Sequence, residues 1–597
     1  MTRAAAVGET RVGCEPALTR SFPWLFPRFF VAAILLGTVA CASTGPKNGA
    51  SVQGSSPGPG ETPARRTLVI AVGGEPGSIA TRTLVQSGGG RQFSTKIFNA
   101  QLGLLDDRAQ PVPQLAASLP QLNSDSWRVF ADGRMETTYR LRPNLAWHDG
   151  SPLTADDFVF AWRVFSHPEV GGAGTPPLAA MSEVLAPEPL TLMIRWSAPH
   201  PDAGALASRD REFPPLPRHI LLNDLEEGGA ATIANHAYWA REFVGAGPYR
   251  LERWDPGSFI EASAFQRYAL GTPSVGRIKI MFANDSNAIV ANVLAGEVQA
   301  VMEVGDLGRE QLLTLRRDWE ARGKGKVLRE SREWGATHFQ LRPEFVSPSA
   351  LLDSRVRKAL AHSLDKQALN DVLYEGEGTP ATSMFSPLSA FGQAADVSAV
   401  KYPYDVQRSE QLMADAGHQR GLDGLFAGPS GERLSAELKT NAGPTSEAEV
   451  LIMANGWRQA GFAIQESVLP AALSRNAEVR ATFPSMFTYT STPGDLGMVE
   501  FVQRRIPTAE NRWLGGNRAG WSDPRYEVLA ASFNTTLDQN ERQRQVTQMV
   551  AIFTEALPAN SLFFRTSTVA YVAGLQGPTS VASESNVGWN VHTWVLQ

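Results

Sequence analysis

The feature that most constrains the fold is an alternation. From Thr67 onward, short apolar strands and amphipathic helices follow one another without a fixed period. Thr67-Leu68-Val69-Ile70-Ala71-Val72 is an apolar run closed by Gly73-Gly74, the pattern of a buried strand. Arg277–Phe282 and Thr568-Val569-Ala570-Tyr571-Val572 read as further strands. Thr154 stands three residues before Asp157, a capping-box start, and Phe158, Ala161, Trp162 and Phe165 then share a helical face. Asp353 or Ser354 caps a second helix, striped by Val356, Ala359, Leu360 and Leu364. Asp285 and Gly296 bracket a third. Val546, Met549, Val550, Phe553 and Leu557 line a fourth, stopped by Pro558. Such a mixture makes an α/β or α+β body. At about 150 residues per domain, 597 residues allow three or four units. No repeat of about 20–50 residues is visible, and no stretch of about 18 apolar residues predicts a span through a membrane.

Charge and cysteine usage narrow the class. Lys and Arg total 55 against 60 Asp and Glu, a formal charge of −5 without a basic block, which argues against nucleic acid as the partner. Two cysteines, Cys14 and Cys41, cannot build a disulfide framework for this length. No two of the nine histidines stand three to five residues apart, which removes the common zinc motifs. No metal and no cofactor are expected.

The N-terminus reads as an address. Arg3, Arg11, Arg20 and Arg28 precede Phe29-Phe30-Val31-Ala32-Ala33-Ile34-Leu35-Leu36-Gly37-Thr38-Val39-Ala40, the layout of a secretory signal and too short for a comfortable transmembrane helix. Ending at Cys41, it resembles a bacterial lipoprotein signal, with cleavage after Ala40 and lipid on Cys41. Thr38 stands where that class usually has Leu, and Ala40-Cys41-Ala42 also fits an ordinary small-x-small cleavage site. Residues 42–66, rich in Gly, Ser and Pro, have the composition of a solvated tether.

Four segments carry a resemblance. The first is Ile97-Phe98-Asn99-Ala100-Gln101-Leu102 running on to Val112-Pro113-Gln114-Leu115-Ala116. The second is Tyr139-Arg140-Leu141-Arg142-Pro143-Asn144-Leu145-Ala146-Trp147-His148-Asp149-Gly150-Ser151-Pro152-Leu153-Thr154-Ala155-Asp156-Asp157, and the third Gly245-Ala246-Gly247-Pro248-Tyr249, followed by Trp254, Pro256 and Gly257. The fourth is Asp353-Ser354-Arg355-Val356-Arg357-Lys358-Ala359-Leu360-Ala361-His362-Ser363-Leu364-Asp365-Lys366. In this order and spacing they resemble the family-5 extracellular solute-binding proteins of bacterial peptide and nickel ABC importers. The motif residues themselves read as scaffold, with Arg355 and Arg357 expected to pair with surface acids.

The resemblance implies an α/β, bilobal, periplasmic-binding-protein-like fold of type II, the large peptide-binding class, with an extra subdomain in the first lobe. Expected divisions are a signal at 1–40, a tether at 41–66, a first lobe at 67–335 holding an insert at about 105–240, a second lobe at 336–565, and a return to lobe one at 566–597. Crossings are expected near residues 336–341 and 563–568. The implied function is to capture a peptide or peptide-like solute between lobes and deliver it to a membrane permease. The chain would be monomeric, extracytoplasmic, lipid-anchored and not an enzyme.

In peptide-binding relatives a second-lobe carboxylate meets the ligand's ammonium. The corresponding stretch here offers Tyr489, Thr490, Ser491 and Thr492 before Pro493, with Asp495 after it. An ammonium buried without a counter-charge is costly, so those hydroxyls suit a neutral or hydroxyl-rich ligand better, such as a sugar or a blocked peptide, and a plain surface loop is the bland alternative. Further candidates are Glu75 after the first strand, Gln92 beside Gly88-Gly89-Gly90, Trp334 near the crossing, and Trp513 before Gly515-Gly516. His338 reads as an ordinary strand residue. A secreted hydrolase stays as a rival class without a Gly-x-Ser-x-Gly or His-Glu-x-x-His motif, and so does a surface receptor or adhesin of the same fold.

Overall fold

Two long strands organise the body. The outward strand Gly325–Phe339 runs antiparallel to the return strand Ala559–Val572, in register from Gly325 against Val572 to His338 against Ala559. This computed structural model describes residues 67–597 apart from 83, 85–91, 170–176, 208–211, 284, 304–306, 308, 471 and 475; the signal, the tether and Cys41 therefore lie outside the described residues.

At one end the return strand pairs with Ala300–Val301, which leads through Thr67–Val72, Arg277–Phe282 and Phe259–Ala264 to Tyr249–Asp255. At the other end the outward strand pairs with Met486–Ser491, and beyond it lie Ser435–Asn441 and Ala463–Leu469. One sheet thus threads both lobes. Almost every return-strand residue is buried, as expected of a strand covered on both faces. Bulges at Ser331/Glu333 and Gly335/Ala336 interrupt the outward strand, and such insertions bend a strand and increase its twist. Near these bulges the core changes hands. Val569 and Tyr571 pack with the residues of the first lobe, whereas Trp334, Ala336 and Phe564 pack with those of the second.

A separate antiparallel sheet of Trp127–Val129, Met135–Arg140, Thr191–Trp196 and Met181–Glu188 joins the first-lobe core. The helix Ala155–Phe165 starts at Thr154, whose backbone N–H donates to Asp157 Oδ2 at 2.9 Å. Trp147 Nε1 also donates to that oxygen, at 3.3 Å, which ties the preceding turn to the cap.

Three of the sequence segments meet at one point. His148 Nδ1 accepts from Gly245 N–H at 3.2 Å, which leaves Nε2–H to donate to Gly247 O at 3.0 Å. Gly247 N–H in turn donates to Phe98 O at 3.1 Å. A Cβ at Gly247 would run into the main chain of Phe98 and Asn99, so glycine is required by close approach. The segments are spaced as they are because they brace one another.

The fourth segment corrects one expectation. Arg355 pairs with Asp353 on the surface, at 2.6 Å. Arg357 instead is buried and donates to main-chain oxygens of Leu351, Ala556 and Leu557 at 2.7–3.1 Å. It satisfies carbonyls at the end of the helix Gln539–Ala556, which the helix cannot satisfy itself.

Candidate functional site: the cleft between the lobes

The strand Met486–Ser491 pairs with the outward strand, Thr490 against Gly335 and Ser491 against Trp334. Its end therefore sits at the waist between the lobes. There a cavity of about 1250 Å³ opens. The first lobe lines it with Thr81, Arg82, segments around Ala179–Ala180 and 198–201, and Glu212. The second lobe contributes Thr490, Ser491, Thr492, Arg480, Arg518 and the stretch from Leu496 to Arg505. After Thr492 the chain turns at Gly494, whose φ of +72° suits glycine. Its N–H donates to Met384 O, and a Cβ there would press on Glu584 Oε1 at 3.1 Å.

The lining is strongly cationic. Arg82, Arg480, Arg504, Arg505, Arg518 and Arg542 face Glu212, Glu333 and Glu500. Some of this charge is matched locally. Arg505 Nε donates to Glu500 at 2.8 Å, Glu212 pairs with Lys96 at 2.8 Å, and Arg542 pairs with Asp495 at 3.3 Å. Arg480 and Arg518 hold their guanidinium carbons 6.0 and 4.8 Å from the Tyr489 ring centre. Burial, and then the Arg518 charge, pull the Arg480 pKa below its ordinary value. Behind them His338 stacks on Tyr489 with centroids 4.0 Å apart and rings inclined by 10°. Burial and the nearby Arg518 hold that imidazole neutral, well below its ordinary range. Among the described residues, no group of three His, Cys, Asp or Glu is placed to hold a metal ion.

The sequence candidates divide. Thr490, Ser491 and Thr492 line the cleft together. Tyr489 is buried behind that wall and supports it. Asp495 lies just outside the lining and is engaged by Arg542. Trp334 is a core residue, not a cleft residue. It is wholly buried, its Nε1 donates to Ser561 Oγ at 3.1 Å, and Phe501 and Phe553 pack on its ring. Trp513 leans on Phe345 with centroids 6.4 Å apart and is not part of the lining, although Gly515 and Gly516 are. Glu75 receives Trp254 Nε1 at 2.7 Å and Gly257 N–H at 2.9 Å, so it pins a hairpin turn away from the cleft. Gln92 opens the helix Gln92–Phe98, and the Gly88-Gly89-Gly90 loop lies outside the described residues.

Sequence reasoning missed the arginines. Arg480 sits in the five-residue helix Ala477–Ala481. Arg518 follows the buried Asn517, whose amide nitrogen donates to Val502 O and Trp521 O and fixes the loop. A buried Asn after Gly515-Gly516 is the one local signal that this loop is built rather than idle.

The sequence profile described as bacterial extracellular solute-binding proteins, family 5 middle, matches residues 110–501. The chain belongs to this family. Among curated relatives, the oligopeptide-binding protein AppA of Bacillus subtilis is 23% identical over 368 residues, 60% of this chain. The match spans only 62% of that relative's length. Among solved structures, NikZ of Campylobacter jejuni in complex with Ni(L-His) superposes with a TM-score of 0.70 at 21% identity, covering 89% of this chain and 99% of that one. The oligopeptide-binding protein of Thermus thermophilus, complexed with a pentapeptide, gives 0.69 at 20% identity, covering 89% and 96%. These structures share the bilobal family-5 fold with the chain. Among the described residues, no helix is long and apolar enough to cross a membrane.

Proposed function

We propose that this family-5 protein captures a peptide or peptide-like solute between its lobes and delivers it to a membrane permease, held outside the cytoplasm by a lipid on Cys41. Residues 67–335 with 566–597 form one jaw and 336–565 the other. The observation that carries this reading is the cleft of about 1250 Å³, walled by both lobes at a waist of two paired strands. Small-molecule sites usually occupy about 300–1000 Å³, so the space suits a ligand of several residues. Contacts made only when both walls engage would favour the closed form. A neutral sugar fits the hydroxyls of Thr490, Ser491 and Thr492, but it leaves Arg480 and Arg518, which form no ion pair with a described residue, without an anionic partner.

Native mass spectrometry of the purified protein tests the reading. The expected result is a co-purified mass in the range of short peptides, released on denaturation. A released hexose oligomer overturns the peptide reading and favours the sugar. The same instrument reads the N-terminus, where lipid on Cys41 is expected. An unmodified N-terminus beginning after Ala42 overturns the anchor.

A further inference from the structure

Arg480 and Arg518 differ from Arg505 and Arg542 in one respect. Arg505 and Arg542 each have a carboxylate partner, whereas among the described residues neither Arg480 nor Arg518 forms an ion pair. Both lie over the same Tyr489 ring, and both line the cleft. Arg480 Nε is also buried without a hydrogen-bond partner. Two cations this close, partly removed from water, repel one another and lose hydration. The ring they share and the imidazole stacked behind it, Tyr489 and His338, bring no negative charge. The chain as a whole carries −5, so a cationic cleft is not a consequence of general basicity. A concave site with an excess of one sign between low-dielectric walls focuses its field on the entering ligand.

We infer that Arg480 and Arg518 form an oxyanion subsite, and that the captured solute is acidic, carrying more than one negative charge. The inference rests on the solute-capture reading and names the ligand's charge class. Guanidinium groups bind carboxylates and phosphates alike through paired N–H donors. Two guanidinium groups that form no ion pair with a described residue leave room for more charge than one carboxylate supplies. Arg504, exposed at the rim, would meet the acid early and speed its capture.

The test uses the full chain and four probes: tri-glutamate, tri-glutamine amide, tri-lysine and inorganic phosphate. Binding is followed by tryptophan fluorescence and thermal shift at low and high sodium chloride. Tri-glutamate should bind, weaken as salt rises, and exceed tri-glutamine amide in affinity by about 100-fold. Arg480→Gln with Arg518→Gln should abolish most of that preference. Because the pair is strained when empty, the double variant should melt no lower than the wild type in the absence of ligand, which separates lost contact from lost folding. Equal affinity for tri-glutamate and the amide, or tighter binding of tri-lysine than of tri-glutamate, overturns the inference and leaves solute capture standing. Binding of phosphate, lost in the double variant, without any peptide response keeps the subsite, assigns it to phosphoryl groups and overturns the peptide reading. Absence of any response to tri-glutamate and to phosphate overturns the subsite.

Discussion

His148 has both ring nitrogens committed, one accepting from Gly245 and one donating to Gly247. Only the neutral ring can do this. Burial pushes its pKa from 6.5 down to about 4. Between those values the unfolded chain takes up a proton that the native state refuses. The stabilisation is therefore complete above about pH 6.5 and is lost as pH falls toward 4, an effect of about 3 kcal/mol in total. His148→Leu leaves the Gly245 N–H and Gly247 carbonyl without partners and should cost about 2–4 kcal/mol at pH 7. In urea titrations the gap between wild type and variant should narrow as pH is lowered to 4. A gap independent of pH would mean that the ring does not titrate as described. That these residues are scaffold was legible from their types and spacing, because Asp-Gly and Gly-x-Gly-Pro are turn chemistry. Which atoms they share was not legible, since the partners lie 97 and 99 positions apart. Arg357 shows the same limit. A guanidinium aimed at carbonyls and one aimed at an acid look alike in one dimension.

Helices and strands with strong local signals fold where the pattern places them. Thr67–Val72 and Arg277–Phe282 are strands, and Asp285 and Gly296 cap the helix Ser286–Ala295. The return strand is longer than its visible apolar half because Ala559-Asn560-Ser561 at its start is buried as well. The outward strand was hidden by its charges, Lys326, Arg329, Glu330 and Glu333 among them, which break the apolar alternation. The short helix Gly494–Met498 owes its position to tertiary contact. Its first residue meets Glu584, a half-buried residue of the return segment that accepts from Ser583 Oγ at 2.8 Å. Burial, and after it the Asp495 charge, raise the Glu584 pKa above its ordinary 4.5. The native state then binds this proton more tightly than the unfolded chain does. Stability from this group is present below about pH 4.5 and is lost as pH rises through the elevated value. Glu584→Gln should therefore raise the melting temperature at pH 7 and leave it unchanged at pH 4. A variant that melts lower than wild type at pH 7 would show that the charged carboxylate is favourable where it lies.

At the scale of the molecule, the order of the four segments was enough to indicate two lobes, but not the character of the space between them. That character belongs to no window of sequence. Arg82, Glu212, Glu333, Arg480 and Arg518 reach the cleft from both lobes and from the waist, and only the folded path through two long strands assembles them. The same path separates gripping from closing. Thr490 and Thr492 present half-buried side chains to the cleft and form no hydrogen bond through them with a described residue. Thr490→Ala with Thr492→Ala should therefore leave the melting temperature within about 2 °C of wild type. It should weaken solute binding by about 10- to 100-fold, as expected for two hydrogen bonds. On the proposed capture mechanism, closure would depend on the bulged strands and on contacts across both walls, so the variant should still close once saturated. Small-angle scattering reads this directly. The radius of gyration should fall on saturation in both proteins, at a higher solute concentration for the variant. Unimpaired affinity would remove the two threonines from the site. An unchanged profile at proven saturation would instead remove the moving jaws, because a ligand that binds open and closed forms equally cannot shift their balance.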